Sequence, residues 1–380
     1  MPCMSFDKLN TIEPAPHPSA KLGILIDWLV TLKCNYDCSY CPTVGTIMWP
    51  TVGHDNSIPH PDYDKCLGML KQLYAYTDVM MISKKDRLKD ATMNMYGGEA
   101  VFHPQFVQLA EATTREFEQY KDRWRLTRRL TTNGTATEKN WKTIVSHMEG
   151  VTMSYHTQGP QKLKKVFLAN LQHLVDINKE FDVVVLMYPH QDYWQECLEF
   201  ARWCKENKLR SRPRLLDGPL GTYSETQIQE LSEFFSSDEL SSLKPGEKLT
   251  VSKMRACCGA RPLCTNREFK SSQALVPRGP EGYKGWTCAA NQFFIFGNTP
   301  TGMYYTNRDC RVRLDGKLGP IANIHTMEQY TNKIRKQIQE TNTVPVLTCA
   351  QNYCHCGTCA PKARTPEDLA KIMKVYNTIN

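Results

Sequence analysis

The sequence predicts an α/β chain: a partial (β/α)6 barrel of parallel strands followed by a small cysteine-rich C-terminal domain. Three observations predict it. From residue 21 to about 216, short runs rich in Ile, Leu and Val alternate with stretches of helical hydrophobic period, the pattern of a parallel sheet with right-handed crossovers. The alternation counts six strand–helix steps, fewer than the eight that close a full barrel. Beyond residue 250 the period is lost, and nine of the sixteen cysteines fall between Cys257 and Cys359.

Each element has a local reason. Leu22–Leu32 reads as a buried strand, and a Gly- and Pro-bearing loop follows from Cys34 to Pro61. Pro61–Tyr76 is helical, with Tyr63, Cys66, Leu67, Leu70 and Tyr74 on one side. Ala91–Tyr96 is a strand ending in Gly97-Gly98, and Phe106, Leu109, Ala110, Thr113 and Phe117 mark a helix over about 105–121. Arg125–Thr132 is a strand ending in Asn133-Gly134, and Glu138–Met148 a helix. Strand Val151–Tyr155 precedes a helix over about 161–180, and the nearly all-apolar Val183–Met187 reads as a strand covered on both faces. A helix over 191–207 and a weaker strand, Arg212–Leu216, complete the unit. The expected organisation is an arm over 1–20, the barrel over 21–216, a linker with a short helix over 217–250, and the cysteine-rich domain over 251–380. That last domain includes helices over Glu328–Glu340 and Pro366–Asn377.

Composition removes several classes. A chain of 380 residues is about two domains of ~150 residues each. With 41% hydrophobic and 23% charged residues it is not a disordered chain. Its longest apolar stretch, Leu22–Leu32, contains Asp27 and is far short of the ~20 residues of a membrane span. The opening MPCMSFDKLN lacks the charged-then-apolar pattern of a secretion signal. A cytoplasmic protein without membrane contact is expected. In that reducing setting, grouped cysteines point to metal or cluster ligation rather than disulfides. The scattered Cys3, Cys66, Cys197 and Cys204 are expected to act as small buried hydrophobes.

The first cysteine group, Cys34-x3-Cys38-x2-Cys41, sits in the loop after the first strand. Thiolates select zinc or iron–sulfur clusters. Structural zinc wants four protein ligands and here there are three, whereas a four-iron cluster on three cysteines keeps one iron open. With the aromatic Tyr40 before the last cysteine, this loop resembles the signature of the radical S-adenosylmethionine superfamily. Gly97-Gly98-Glu99, after the second strand, is similar to that family's GGE motif, with Ala100 where Pro is usual. The resemblance covers about residues 21–216. It implies a [4Fe-4S] cluster on Cys34, Cys38 and Cys41, with S-adenosyl-L-methionine on the open iron. Gly97, Gly98 and Glu99 would meet the ammonium of the cofactor's methionine, and Asn133 and Ser154 its ribose and carboxylate. Reductive cleavage would release methionine and a 5′-deoxyadenosyl radical that abstracts hydrogen from a substrate. No further catalytic residue is assigned. The reaction is left open between oxidoreductase and transferase types, with a flavodoxin- or ferredoxin-like reductase as electron donor. The loop Thr43–His60, carrying Trp49, His54 and His60, has the length of a lid.

The second group comprises Cys257, Cys258, Cys264, Cys288, Cys310, Cys349, Cys354, Cys356 and Cys359. Nine thiols suffice for two four-ligand clusters with one over, and zinc is possible at Cys354, Cys356 and Cys359. The region resembles the SPASM or twitch extensions of peptide-modifying radical enzymes. Two spacings depart from that pattern: Gly302 to Cys310 is longer, and Cys354 to Cys356 is tighter. The resemblance implies one or two auxiliary iron–sulfur clusters and a peptide or protein substrate. Two alternatives remain at this level. A radical enzyme acting on RNA is suggested by the net charge of +8 and the basic runs Lys121–Arg129 and Lys162–Lys165, although such runs usually mark solvated helix faces. A non-enzymatic zinc or iron–sulfur binding protein is the other.

Overall fold

A computed structural model of the 380-residue chain describes residues 23–41, 54–82, 84, 89–216, 220–240, 243–248, 284–307, 311–350, 362–370 and 373. The expected N-terminal arm, most of the lid loop and seven of the C-terminal cysteines (Cys257, Cys258, Cys264, Cys310, Cys354, Cys356 and Cys359) lie outside the described residues. So does most of the final helix.

Six parallel strands follow one another in sequence order, each pair joined through a helix: β1 (Ile24–Leu29), α1 (Tyr63–Met81), β2 (Asp90–Tyr96), α2 (Phe106–Arg115), β3 (Arg125–Thr132), α3 (Glu138–Ser146), β4 (Gly150–Tyr155), α4 (Gln161–Asp176), β5 (Glu180–Met187), α5 (Gln191–Glu206) and β6 (Ser211–Leu215). The order never reverses, which is barrel-type rather than doubly wound topology. Two short helices, α6 (Glu225–Leu231) and α7 (Ser237–Leu240), then leave the barrel.

The sheet continues on the other side of β1 with strands from the last third of the chain. β8 (Phe294–Asn298) runs parallel to β1, and β9 (Met303–Tyr305) and β10 (Ala322–Asn323) follow antiparallel. The result is a nine-stranded sheet with β6 and β10 at its edges. A separate three-stranded sheet sets β7 (Thr287–Cys288) between β11 (Leu347–Thr348) and β12 (Lys362–Ala363). Helix α8 (Met327–Thr341) lies beside α1, with Tyr76 and Tyr330 stacked at 6.3 Å.

Pleat alternation divides the strands between two environments. Ile24, Ile26 and Trp28 of β1 join the core formed with the outer helices. Leu25, Asp27 and Leu29 face the barrel interior, where Leu29 packs with Tyr96 and Phe296. Trp28 is anchored by its indole N–H, which donates to Thr299 Oγ1 at 2.8 Å. Cys66, Cys197 and Cys204 are fully buried in the helix-side core, as their helical spacing predicts.

Several boundaries differ from the sequence expectation for identifiable reasons. Helix α1 starts at its Asp62 cap, which accepts from the Lys65 N–H at 2.7 Å, and runs to Met81 because Val79, Met80 and Met81 are buried as well. Helix α2 stops at Arg115, and the turns after it gather Phe117, Tyr120 and Trp124 around Tyr74. β5 begins three residues before its apolar run. Asp182 is held on the interior face by Arg210 at 2.6 Å and Arg129 at 3.4 Å, so a charged stretch joins the sheet.

Candidate functional site

The GGE segment and the cysteine loop are two strand ends pressed together. Gly98 N–H donates to Thr31 O and Glu99 N–H to Lys33 O, both at 2.8 Å. A Cβ at Gly97 would stand 2.4 Å from Thr31 O, and one at Gly98 2.4 Å from Leu32 O and 2.6 Å from Lys33 O. Any side chain there would push away the backbone that leads directly into Cys34. The glycines therefore place the cysteine loop, whatever else their backbone meets.

The loop is then fastened to three further strand ends. Asn35 Nδ2 donates to Thr135 Oγ1 at 2.8 Å, Asn133 Nδ2 to Asn35 Oδ1 at 2.8 Å, and Thr135 Oγ1 to Asn133 Oδ1 at 2.6 Å, closing a triangle beyond β3. Gly134, at φ +68°, makes the turn that allows it. Ser39 N–H donates to Gln158 Oε1 at 2.7 Å, and Ser39 Oγ lies 3.1 Å from Tyr188 OH, tying the loop to the ends of β4 and β5. Tyr40 stacks on His156 with its hydroxyl 3.0 Å from Nδ1, and the same nitrogen lies 3.7 Å from Cys38 Sγ. Cys34 N–H donates to Asn56 Oδ1 at 3.0 Å from the far end of the loop.

All three thiols are held above their ordinary range. Burial is the main cause at each. At Cys34, Glu99 and the other two cysteines add to it, and at Cys38, pushed up to about 11, Cys41 does while the Tyr40 hydroxyl opposes. Three thiols set into the fold, Cys38 buried and Cys34 and Cys41 half-buried, are relieved together by a positively charged metal centre that takes them as thiolates. The soft donor set suits iron–sulfur or zinc. Among the described residues no three His, Cys, Asp or Glu side chains converge as the ligands of one ion would. A cluster, whose cysteines each take a different iron, asks for wider spacing than one ion does.

Of the other expected site residues, Glu99 is 2% exposed and turned toward β3. It accepts from the Thr132 hydroxyl at 2.7 Å, Asn133 N–H at 2.5 Å and Val101 N–H at 3.1 Å. Burial raises its carboxyl to about 7 against those three donors. Asn133 commits its side chain to the triangle described above. Ser154 is half-buried on the interior face of β4, in register with Val184 of β5, which pairs in turn with Arg212 of β6. His156, Gln158 and Tyr188 escaped the sequence reading, although their positions just past β4 and β5 were the available signal.

Of the nine C-terminal cysteines, Cys288 and Cys349 lie in the described residues, on the small sheet. Cys349 N–H donates to Trp286 O at 2.7 Å, and Leu347 opposes Cys288. Cys288 belongs to an apolar cluster that reaches Leu25 and Phe294, at the amino ends of β1 and β8. It is therefore at the opposite end of the barrel from Cys34.

The basic run Lys121–Arg129 is neutralised in place. Lys121 meets Glu118, Arg123 meets Asp78, Arg125 meets Asp90, Arg128 meets Glu149, and Arg129 meets Glu180 and Asp182. In the second run, Lys164 meets Glu196.

No family model matches the chain, and no curated protein does. Among solved structures it is similar to native anSMEcpe with bound AdoMet and Cp18Cys peptide, at 13% identity and a TM-score of 0.46 over 84% of this chain and 82% of that one. It is also similar to a hexahistidine-tagged anSMEcpe with bound AdoMet, at 14% identity and a TM-score of 0.47 over 83% and 79%. Likeness at this level decides neither activity nor substrate. Among the described residues no helix is long and apolar enough to cross a membrane.

Proposed function

We propose that the chain is a radical S-adenosylmethionine enzyme that holds a [4Fe-4S] cluster on Cys34, Cys38 and Cys41 and abstracts hydrogen from a peptide or protein. One observation carries the reading: three cysteines, Cys38 buried and Cys34 and Cys41 half-buried, stand at the carboxyl end of β1 on a loop whose lead-in backbone is fastened to Gly98 and Glu99. When bound, the cluster supplies the electron that splits the cofactor's sulfonium carbon–sulfur bond. The chain's own contribution is placement. Gly97 and Gly98 let the end of β2 close on the backbone leading into Cys34, from where they and Glu99 would meet the methionine ammonium, and Ser154 presents a hydroxyl from the interior wall. The peptide class, with one or two auxiliary clusters, rests on the resemblance of the cysteine-rich region to the SPASM or twitch extensions of peptide-modifying radical enzymes. A flavodoxin- or ferredoxin-like donor and a cytoplasmic setting complete the reading.

Anaerobically reconstituted, reduced protein is expected to form 5′-deoxyadenosine from S-adenosylmethionine, and Cys38→Ala to form none. Stoichiometric zinc with no iron, and no nucleoside product from a fully loaded wild type, would sink the proposal.

A further inference from the structure

The interior face of β1 carries a carboxylate, Asp27, with no hydrogen bond or ion pair to the described residues. Asp27 sits mid-strand, 6% exposed, in register with Asn94 of β2 and Phe296 of β8. Leu25 and Leu29 flank it along the strand on the same face. Among the described residues no hydrogen-bond donor and no cation reaches its oxygens. The interior guanidinium of Arg129, which shares the register row of Asn94, is held by Glu180 at 2.8 Å and Asp182 at 3.4 Å. Polar side chains this deep ordinarily have a polar partner, and none of the described residues supplies one to Asp27.

We propose that Asp27 is the recognition point for a basic side chain, lysine or arginine, of the peptide that enters the barrel. The assignment rests on the radical-enzyme reading above and names what its substrate carries. The walls suit that cargo. Phe296 shares the register row of Asp27 and stacks with Tyr96 at 6.5 Å, setting aromatic rings beside the carboxylate to meet a cation. Depth separates recognition from chemistry. Asp27 lies four residues below Thr31, roughly 13 Å at ~3.3 Å per strand residue. Thr31 is where the GGE segment attaches, so the cation read by Asp27 belongs to a residue other than the one that loses hydrogen.

The test uses the full-length, cluster-loaded protein and four synthetic peptides: acetyl-Gly-Lys-Gly-amide, its arginine counterpart, the neutral norleucine isostere and the glutamate analogue. Calorimetry should show the basic peptides binding about tenfold or more tighter than the norleucine one. Asp27→Asn should erase that preference. Equal binding of basic and neutral peptides, or a preference that survives in Asp27→Asn, overturns the assignment. Unfolding without peptide gives a second readout. Asp27→Asn should melt no lower than wild type, whereas a clear drop in melting temperature would reveal a structural partner and overturn the proposal. Wild-type 5′-deoxyadenosine formation, measured alongside, reports on the radical reading alone. Basic-peptide preference without that product discards the radical reading and leaves Asp27 as a cation site.

Discussion

Glu99, proposed for the chemistry, already serves the fold. Its carboxylate satisfies the Thr132 hydroxyl and two backbone N–H groups in a place water does not reach. Glu99→Ala strands all three donors and is expected to cost about 2 kcal/mol or more of stability by denaturant titration. Glu99→Gln, which keeps its acceptor oxygen, is expected to cost less. His60 and His103 make a pH prediction. Burial, His103 and Lys33 lower His60 to about 4. Burial also lowers His103, although its Nε2–H donates to Pro61 O at 2.8 Å. In the unfolded chain both take up protons below ~6.5, and in the fold they resist, so the unfolded state binds more protons across that window. Stability is therefore expected to fall as pH drops from ~6.5 toward 4. The double variant His60→Gln/His103→Gln should flatten that slope in pH-dependent melting. Residues of this kind were legible only in part. The cysteine spacing and GGE stood out as strings, but Asn35, His156 and Tyr188 owe their places to contacts across about a hundred residues or more of chain.

At the scale of elements, the junction of β1 and β2 is the most constrained local structure. Gly98→Ala sets a methyl group against two carbonyl oxygens that cannot rotate away. A loss of about 1–3 kcal/mol is expected, together with reduced iron content after reconstitution. Gly68→Ala is the control. It lies in the interior of α1 with its nearest contact at 3.8 Å, and it should stabilise by about 0.5–1 kcal/mol. The strands and helices of the barrel were readable because hydrophobic period alone specifies them. Their ends were less so. α1 outlasts its apolar stripe because later residues are buried by other parts of the chain, and β5 starts early because interior ion pairs let charged residues join a sheet. No local pattern encodes either fact.

For the whole molecule, charge and sheet order matter most. The positive runs that raised an RNA reading are largely paired with internal acids, so RNA binding should be weak, with a log–log salt slope near zero rather than several units. Sheet order was the least legible feature. The C-terminal third read as a small separate domain because its strands are only two to five residues long. Three of them extend the main sheet at β1, and α8 stacks against α1. A fragment ending at residue 250 would bare the edge of β1 and the buried side of α1 together. It is expected to aggregate on expression instead of giving a sharp melting transition, which light scattering and calorimetry would show.

The pairing of β1 with β8 also bears on biosynthesis. Trp28 waits through 271 residues of further translation before Thr299 emerges to receive its indole hydrogen. Until then the first strand has one neighbour, and the mouth of the barrel is open from the side. On the proposed reading, a cluster on the Cys34 loop would thus have a window, on the ribosome or on a holding chaperone, in which to be loaded before the last wall closes beside it.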